Sequence, residues 1–162
     1  MDFCVKLANI AMPIVIAIGF YFGWRQFDAI RKARMAELIL TLYQMWDSPR
    51  LEKSRQKINE IGKAEKVKDA IIEADKQNSA ELFLLVRVSN FFDTVGSLVS
   101  EGYLDKEIAY ELMGSAFDNY NNLYSVFLKD PNYKDFLRCY QELDKIFRKV
   151  KADREKAKIR RT

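Results

Sequence analysis

The sequence predicts an all-α protein in which a single N-terminal transmembrane helix continues into a cytoplasmic helical bundle. Two observations carry this prediction. Residues 7–24 form a strongly apolar run without a charged side chain. In the rest of the 162-residue chain apolar residues recur at helical intervals, and the whole chain has only six Gly and three Pro. About 138 residues follow the run, which is enough for one compact domain with its own core.

The apolar run extends from Leu7 to Trp24. As a helix it would rise about 27 Å, close to the hydrocarbon thickness of a bilayer. It ends in a cluster of aromatic side chains, which are typical of the membrane–water interface. A cleaved signal peptide needs a basic start and a small-residue cleavage site, and neither is present. A buried core helix is the other alternative, although such helices seldom lack a polar face over this length.

The orientation follows from the basic collar, which we define as Arg25, Arg31, Lys32 and Arg34. Because Lys and Arg accumulate on the cytoplasmic side of a span, residues 1–6 are predicted to lie outside. Residues 25–150 would form the cytoplasmic bundle and residues 151–162 a basic C-terminal tail. The predicted location is therefore the cell inner membrane, with the lipid bilayer as the first partner.

Two features inside the span concern packing and shape. Gly19 and Gly23 are four residues apart, a spacing that lets two spans approach closely and form a homodimer. Such pairs also occur by chance in apolar segments. Pro13 lies within the span and allows a kink there.

The chain contains no histidine, which excludes Ser-His-Asp and Cys-His nucleophile pairs and removes the commonest transition-metal ligand. Cys4 and Cys139 would be separated by the bilayer, so no intrachain disulfide is expected. The acidic residues near Asp93 do not converge by periodicity on one metal ion. We therefore predict a protein that is not an enzyme and holds no metal or cofactor.

The basic charge is concentrated at two places. Residues 25–36 hold four basic residues and one acidic residue, and residues 148–162 hold eight basic and two acidic residues. The body between them is net acidic. The pI near 9.0 therefore does not describe a uniformly basic, nucleic-acid-binding surface.

The soluble part should contain five helices after the span helix, which should itself run on to Trp46. Ser48, Gly62 and Asp105 are expected as helix caps, and Asn78 with Glu81 resembles a capping box. The fourth helix is apolar nearly all round and should lie in the middle of the bundle. The last carries an apolar stripe that stops at Val150, so the residues beyond it should fray. The predicted helices are Pro49–Ile61, Lys63–Gln77, Ser79–Glu101, Lys106–Leu128 and a last one opening at Asp130–Pro131, with the stripe Phe136, Tyr140, Leu143, Phe147 and Val150.

Arg87, Asn90, Asp93 and Ser97 lie along one side of the central helix. One interpretation is a polar groove that binds a small ligand or an anion, with Arg87 as the charged contact. The other, which we favour, is a less buried face or a set of polar groups that tie neighbouring helices together.

The basic tail allows three interpretations: a solvated helix end, attraction to anionic lipid head groups, or nucleic-acid binding. The last is the least favoured because the tail has no interleaved aromatic residues for base stacking. The residues concerned are Lys151, Arg154, Lys156, Lys158, Arg160 and Arg161.

Several sequence blocks resemble a prokaryotic family of short proteins, the domain of unknown function 4760 family. The central block is carried by Asn90–Asp93, Val95–Val99, Glu101–Asp105 and Ala109–Gly114, the earlier one by Leu42–Pro49, and the later one by Tyr133 and Phe136. The resemblance covers roughly Leu38 to Phe147. Proteins of that family frequently have an N-terminal hydrophobic segment. The resemblance assigns no activity to any residue of this chain.

The sequence thus favours a non-catalytic, membrane-anchored adaptor or accessory subunit that presents an interaction surface to a protein partner. The alternative is a ligand-sensing or effector module that acts on anionic lipid or nucleic acid through its basic tail.

Overall fold

The computed structural model describes residues 2–130, 132 and 137–160, except for the side chains of residues 2–11, 13–15 and 17. Within these residues the chain is all-helical. The helices are α1 (Asp2–Trp46), α2 (Pro49–Ile61), α3 (Ala64–Lys76), α4 (Glu81–Ser100), α5 (Lys106–Leu128) and α6 (Arg138–Ile159). The chain divides into two compact units, residues 1–41 and residues 42–162. The predicted all-α fold class is confirmed.

The first unit consists of the greater part of α1. No Gly or Pro occurs between Trp24 and Trp46, and the helix runs through to Trp46 as predicted. From residue 18 to residue 34 every side chain is exposed within this unit, including large apolar ones. The side chains of Leu7 and Pro13 lie outside the described residues, as does Arg161.

The second unit is a helical bundle arranged around α4, which packs against α2, α3, α5 and α6. Leu85, Val88, Phe92 and Val95 of α4 are almost completely buried, which confirms the predicted central position of this helix. The stripe of α6 is also buried at Tyr140, Leu143, Phe147 and Val150.

Local signals explain where the helices begin and end. The Ser48 hydroxyl accepts a hydrogen bond from the Leu51 amide at 3.3 Å, and Pro49 takes the first position of α2. Gly62 ends α2 in the left-handed region, at φ 68°. The Asp105 carboxylate accepts from the amides of Glu107 and Ile108 at the start of α5. These three caps were predicted.

The predicted capping box at Asn78 was wrong. Asn78 has φ 46° and its amide donates to the Asp75 carbonyl, so it ends α3 rather than beginning α4. The N-cap position of α4 is Ala80, and the hydroxyl of the preceding Ser79 accepts from the Glu81 amide at 3.1 Å. Asn tolerates the left-handed region better than most residues, which explains its position.

The last helix begins later than predicted. Leu137 has φ 60°, a left-handed conformation that a helix cannot pass through, and α6 starts at Arg138. Pro131, Tyr133 and Phe136 lie outside the described residues. At its other end α6 extends beyond Val150 to Ile159.

In the part of the chain that the structure describes, one helix is long and apolar enough to cross a membrane, and it is α4. This holds by length and composition only, and 44% of the apolar stretch of α4 is buried inside the bundle. The packing of α4 against four other helices accounts for its apolar composition. The run from Leu7 to Trp24 lies only partly within the described residues.

Candidate functional site

The four residues of the predicted polar face of α4 have different surroundings. The Arg87 guanidinium donates to the backbone carbonyl of Arg50 on α2 at 3.3 Å. Asn90 is exposed, and its backbone carbonyl accepts from the Thr94 hydroxyl. Ser97 is half-buried. Of these three residues, Arg87 ties α4 to a neighbouring helix.

Asp93 caps α6 from the neighbouring helix. Its carboxylate accepts a hydrogen bond from the Tyr140 amide at 2.8 Å, in the first turn of α6. The residue at the N-cap position of α6 is Leu137, whose side chain has no acceptor. The first amides of a helix need acceptors and favour negative charge, so Asp93 supplies what Leu137 lacks.

Gly96 lies one turn after Asp93 and allows α6 to come close. A Cβ at this position would be 2.1 Å from the Cys139 carbonyl oxygen and 2.6 Å from its carbonyl carbon. Only a residue without a side chain fits there. Asp93 and Gly96 therefore form one docking point for the N-terminus of α6, which we call the α6 dock.

Cys139 sits at the α6 dock as a half-buried free thiol. Burial, and next the negative charge of Asp93, raise the pKa of the Cys139 thiol. The thiol is therefore protonated at neutral pH, which makes it a poor nucleophile.

An aromatic cluster fixes the end of α1 within the second unit. The half-buried Trp46 ring lies 5.1 Å from Phe91, 5.6 Å from Phe92 and 6.0 Å from Tyr120, measured between ring centroids. The Arg55 guanidinium carbon lies 4.5 Å from the centre of the Trp46 ring. Ring contacts of this kind stabilise beyond the area they bury.

Two tyrosines in the core differ in their hydrogen bonding. The Tyr124 hydroxyl donates to the Leu85 carbonyl, whereas the Tyr140 hydroxyl is buried with no hydrogen-bond partner among the described residues. Burial raises the pKa of both phenols, so both are neutral. Neither one is available as a base at neutral pH.

A polar trough runs between α5 and α6, with adjoining cavities of about 380 and 460 Å³. The Asp144 carboxylate accepts from the Asn121 amide group and from the Arg148 guanidinium, both at 2.9 Å. Asp118 pairs with Lys151 at 2.9 Å. The trough could not be predicted from the sequence, because its groups are separated along the chain and only the antiparallel packing of α5 and α6 brings them together.

The basic tail divides into two parts. Lys151 pairs with Asp118, and the Arg154 guanidinium donates to the side chain and the backbone carbonyl of Glu107, both at 3.2 Å. Arg154 also lies over the Tyr110 ring at 5.2 Å. By contrast, Lys156, Lys158 and Arg160 are exposed and have no charged partner among the described residues.

The basic collar is exposed throughout. Lys32 pairs with Asp28 at 2.7 Å, and this hydrogen bond lowers the pKa of the Asp28 carboxyl. The Arg25 guanidinium lies 6.0 Å from the centre of the Tyr21 ring. Arg31 and Arg34 are also exposed, which leaves a positively charged surface immediately after the apolar run.

The described residues contain no group of three or more His, Cys, Asp or Glu side chains that could hold a metal ion.

A family model, described as a domain of unknown function (DUF4760), matches residues 13–150. The chain belongs to this family. No curated protein and no solved structure matches it. The family assignment predicted from the sequence blocks is therefore confirmed.

The α6 dock lies within the residues that the DUF4760 model matches. Asp93 and Gly96 belong to the central block by which the chain resembles the family, and both serve to attach α6 to α4. At these two positions the block serves helix packing. The match ends at residue 150, where the buried stripe of α6 also ends, so residues 151–162 lie beyond it.

Proposed function

We propose that this DUF4760 protein is a non-catalytic, single-pass membrane protein whose helical domain acts as an adaptor at the cytoplasmic face of the inner membrane. The observation that carries the proposal is the exposure of large apolar side chains on α1. Phe20 is 78% exposed and Trp24 is 79% exposed.

Covering such side chains is worth about 1.5–3 kcal/mol each, and monomeric soluble proteins rarely expose contiguous apolar patches larger than a few hundred Å². A bilayer supplies the cover. The collar that follows, with Arg31 and Arg34 exposed, favours an orientation in which the bundle lies in the cytoplasm.

The adaptor role is supported by what the polar groups of the bundle do. Asp93 and Arg87 hold helices together, and the Cys139 thiol is kept protonated. The trough between α5 and α6 presents both positively and negatively charged side chains. We assign it as the surface that binds a polar protein partner.

The second candidate function rests on the outer part of the tail. Lys156, Lys158 and Arg160 form an exposed basic end, and each such residue near an anionic membrane contributes about 1 kcal/mol. A chain truncated after Val150 should then bind anionic vesicles more weakly, with a difference that shrinks as salt rises. Equal binding with and without the tail would rule this candidate out.

The first test concerns the membrane. Full-length protein should remain in the pellet after alkaline carbonate extraction. In intact spheroplasts a membrane-impermeant maleimide should label Cys4, and it should label Cys139 only after lysis. A denatured lysate provides the control for full labelling. Extraction into the soluble fraction, or labelling of Cys139 before lysis, would contradict the proposal.

The second test concerns the partner surface. A photo-crosslinking amino acid at the exposed Asn122 in the trough should yield a discrete crosslinked band in cells. The matched control places the same residue at Glu65, an exposed position on α3. A band that appears equally from both positions, or from neither, would argue against the trough as the partner surface.

A further inference from the structure

The exposed apolar side chains of α1 follow a coiled-coil spacing. We call the line of Ile16, Phe20, Gly23, Phe27 and Ile30 the seam, because its steps alternate between four and three residues. The four side chains of the seam are 52%, 78%, 69% and 52% exposed, respectively. A step of this kind keeps all five positions on one face of a gently supercoiled helix.

The seam continues past the end of the apolar run. Among residues 25–34 the large apolar side chains are Phe27 and Ile30, and both lie on the seam. The charged pair Asp28–Lys32 occupies positions away from it. Lipid tails would cover the seam as far as Gly23, but they do not explain why the apolar line persists among charged residues.

The seam also has a recess that suits a neighbouring helix. Around Gly19 and Gly23 the surface forms a shallow cavity of about 630 Å³, bordered by Phe20, Trp24 and Phe27. A Cβ at either glycine would have no neighbour within 4 Å. A ring on a facing helix can enter this recess, as a knob enters a hole in a coiled coil.

We propose that the seam pairs with the same seam of a second copy of this chain, as a parallel two-helix coiled coil that crosses the membrane boundary. This inference rests on the proposed membrane anchorage, which gives both copies the same orientation. In a parallel pair Gln26 of one copy faces Arg31 of the other, where the amide oxygen accepts from the guanidinium. The next seam position is Arg34, and the repulsion of two like charges ends the pairing there.

The seam would make two kinds of contact. Within the apolar run, where lipid is the alternative cover, Ile16 and Phe20 gain from close packing around the glycines rather than from leaving water. Beyond the run, Phe27 and Ile30 are 69% and 52% exposed, and pairing removes their apolar surface from water.

The test is cysteine crosslinking of the full-length chain in its native membrane. Cys4 and Cys139 are replaced by alanine, and single cysteines are introduced as Phe27→Cys and Ile30→Cys on the seam. Ala29→Cys and Lys32→Cys are the matched positions off the seam. Under an oxidant, the seam cysteines should form disulfide-linked dimers in several-fold greater yield, because only facing residues approach closely enough.

A second variant tests the apolar contact itself. Phe27→Glu in the Ile30→Cys background should abolish the dimer, whereas Ala29→Glu should leave it intact. Carbonate extraction of the same samples separates the two possible failures. Recovery in the soluble fraction would refute membrane anchorage. Protein that stays in the pellet but crosslinks equally at all four positions, or at none, would refute the seam.

Discussion

The chain contains two strongly apolar helical regions, and they differ in what surrounds them. In α4 the side chains of Val88, Phe92 and Val95 have no exposed surface, because four helices enclose them. In α1 the large side chains around Phe20 and Trp24 remain exposed within their unit. Hydropathy therefore shows that a helix needs an apolar environment, but it does not show whether protein or lipid provides that environment. The bundle provides it for α4, and we propose that lipid and a second copy provide it for α1.

The two tryptophans give the largest contrast between these regions. Trp46→Ala should lower the free energy of unfolding by about 3 kcal/mol, because the half-buried ring contacts Phe91, Phe92 and Tyr120. Trp24→Ala, which removes an exposed ring, should leave the unfolding of the bundle unchanged. The effects of both substitutions are measured by urea unfolding of the full-length protein in detergent, with the helical circular dichroism signal as the readout. An equal effect of the two substitutions would contradict the difference in burial between the two regions.

Two glycines give the next contrast. Gly96→Ala should destabilise the bundle by about 2 kcal/mol, because the new methyl group would overlap the Cys139 backbone and force α6 away from α4. Gly23 belongs to the first unit and not to the bundle, and a Cβ there would have no neighbour within 4 Å, so Gly23→Ala should not change the unfolding midpoint of the bundle. If Gly96→Ala unfolded like the unmodified protein, the close approach of α4 and α6 would be refuted.

Substitution of Asp93 tests whether its carboxylate caps α6 at the α6 dock. Asp93→Ala should cost about 1 kcal/mol, as the loss of a helix cap usually does, and should increase amide hydrogen exchange in the first turn of α6. Asp93→Asn keeps an oxygen acceptor and should cost less. Exchange that stays unchanged at residues 138–141 in Asp93→Ala would show that the carboxylate does not cap α6.

The buried tyrosines give the smallest contrast. Tyr124→Phe removes a hydrogen bond to Leu85 and leaves its carbonyl without that partner, so it should cost about 1 kcal/mol. Tyr140→Phe removes a buried hydroxyl that has no described partner, so its stability should be unchanged or slightly higher. A larger loss for Tyr140→Phe than for Tyr124→Phe would contradict these positions of the two hydroxyl groups.

Much of the bundle could be predicted from the sequence because its signals are local. Helices α2 and α5 have the predicted bounds, since Ser48, Gly62 and Asp105 act on amides or carbonyls within a few residues of themselves. The central position of α4 followed from its composition. The start of α6 could not be predicted, because the left-handed turn at Leu137 has no Gly or Asn to announce it.

The polar contacts between helices were also beyond sequence reasoning. Asp93 acts on a residue 47 positions away, and Asn121 and Asp144 meet only because α5 and α6 pack together. Periodicity places a side chain on a face but does not name its partner. The polar face of α4 was therefore recognised, whereas its role at the α6 dock was not.

The difference between the two apolar regions can be measured directly with a photoactivatable apolar reagent dissolved in the bilayer. After irradiation of native membranes, proteolysis and mass spectrometry locate the labelled peptides. We predict label within residues 7–24 and none within residues 81–100, because in the proposed arrangement the bundle lies outside the bilayer. Label concentrated in residues 81–100, or its absence from residues 7–24, would contradict the assignment of α1 to the membrane.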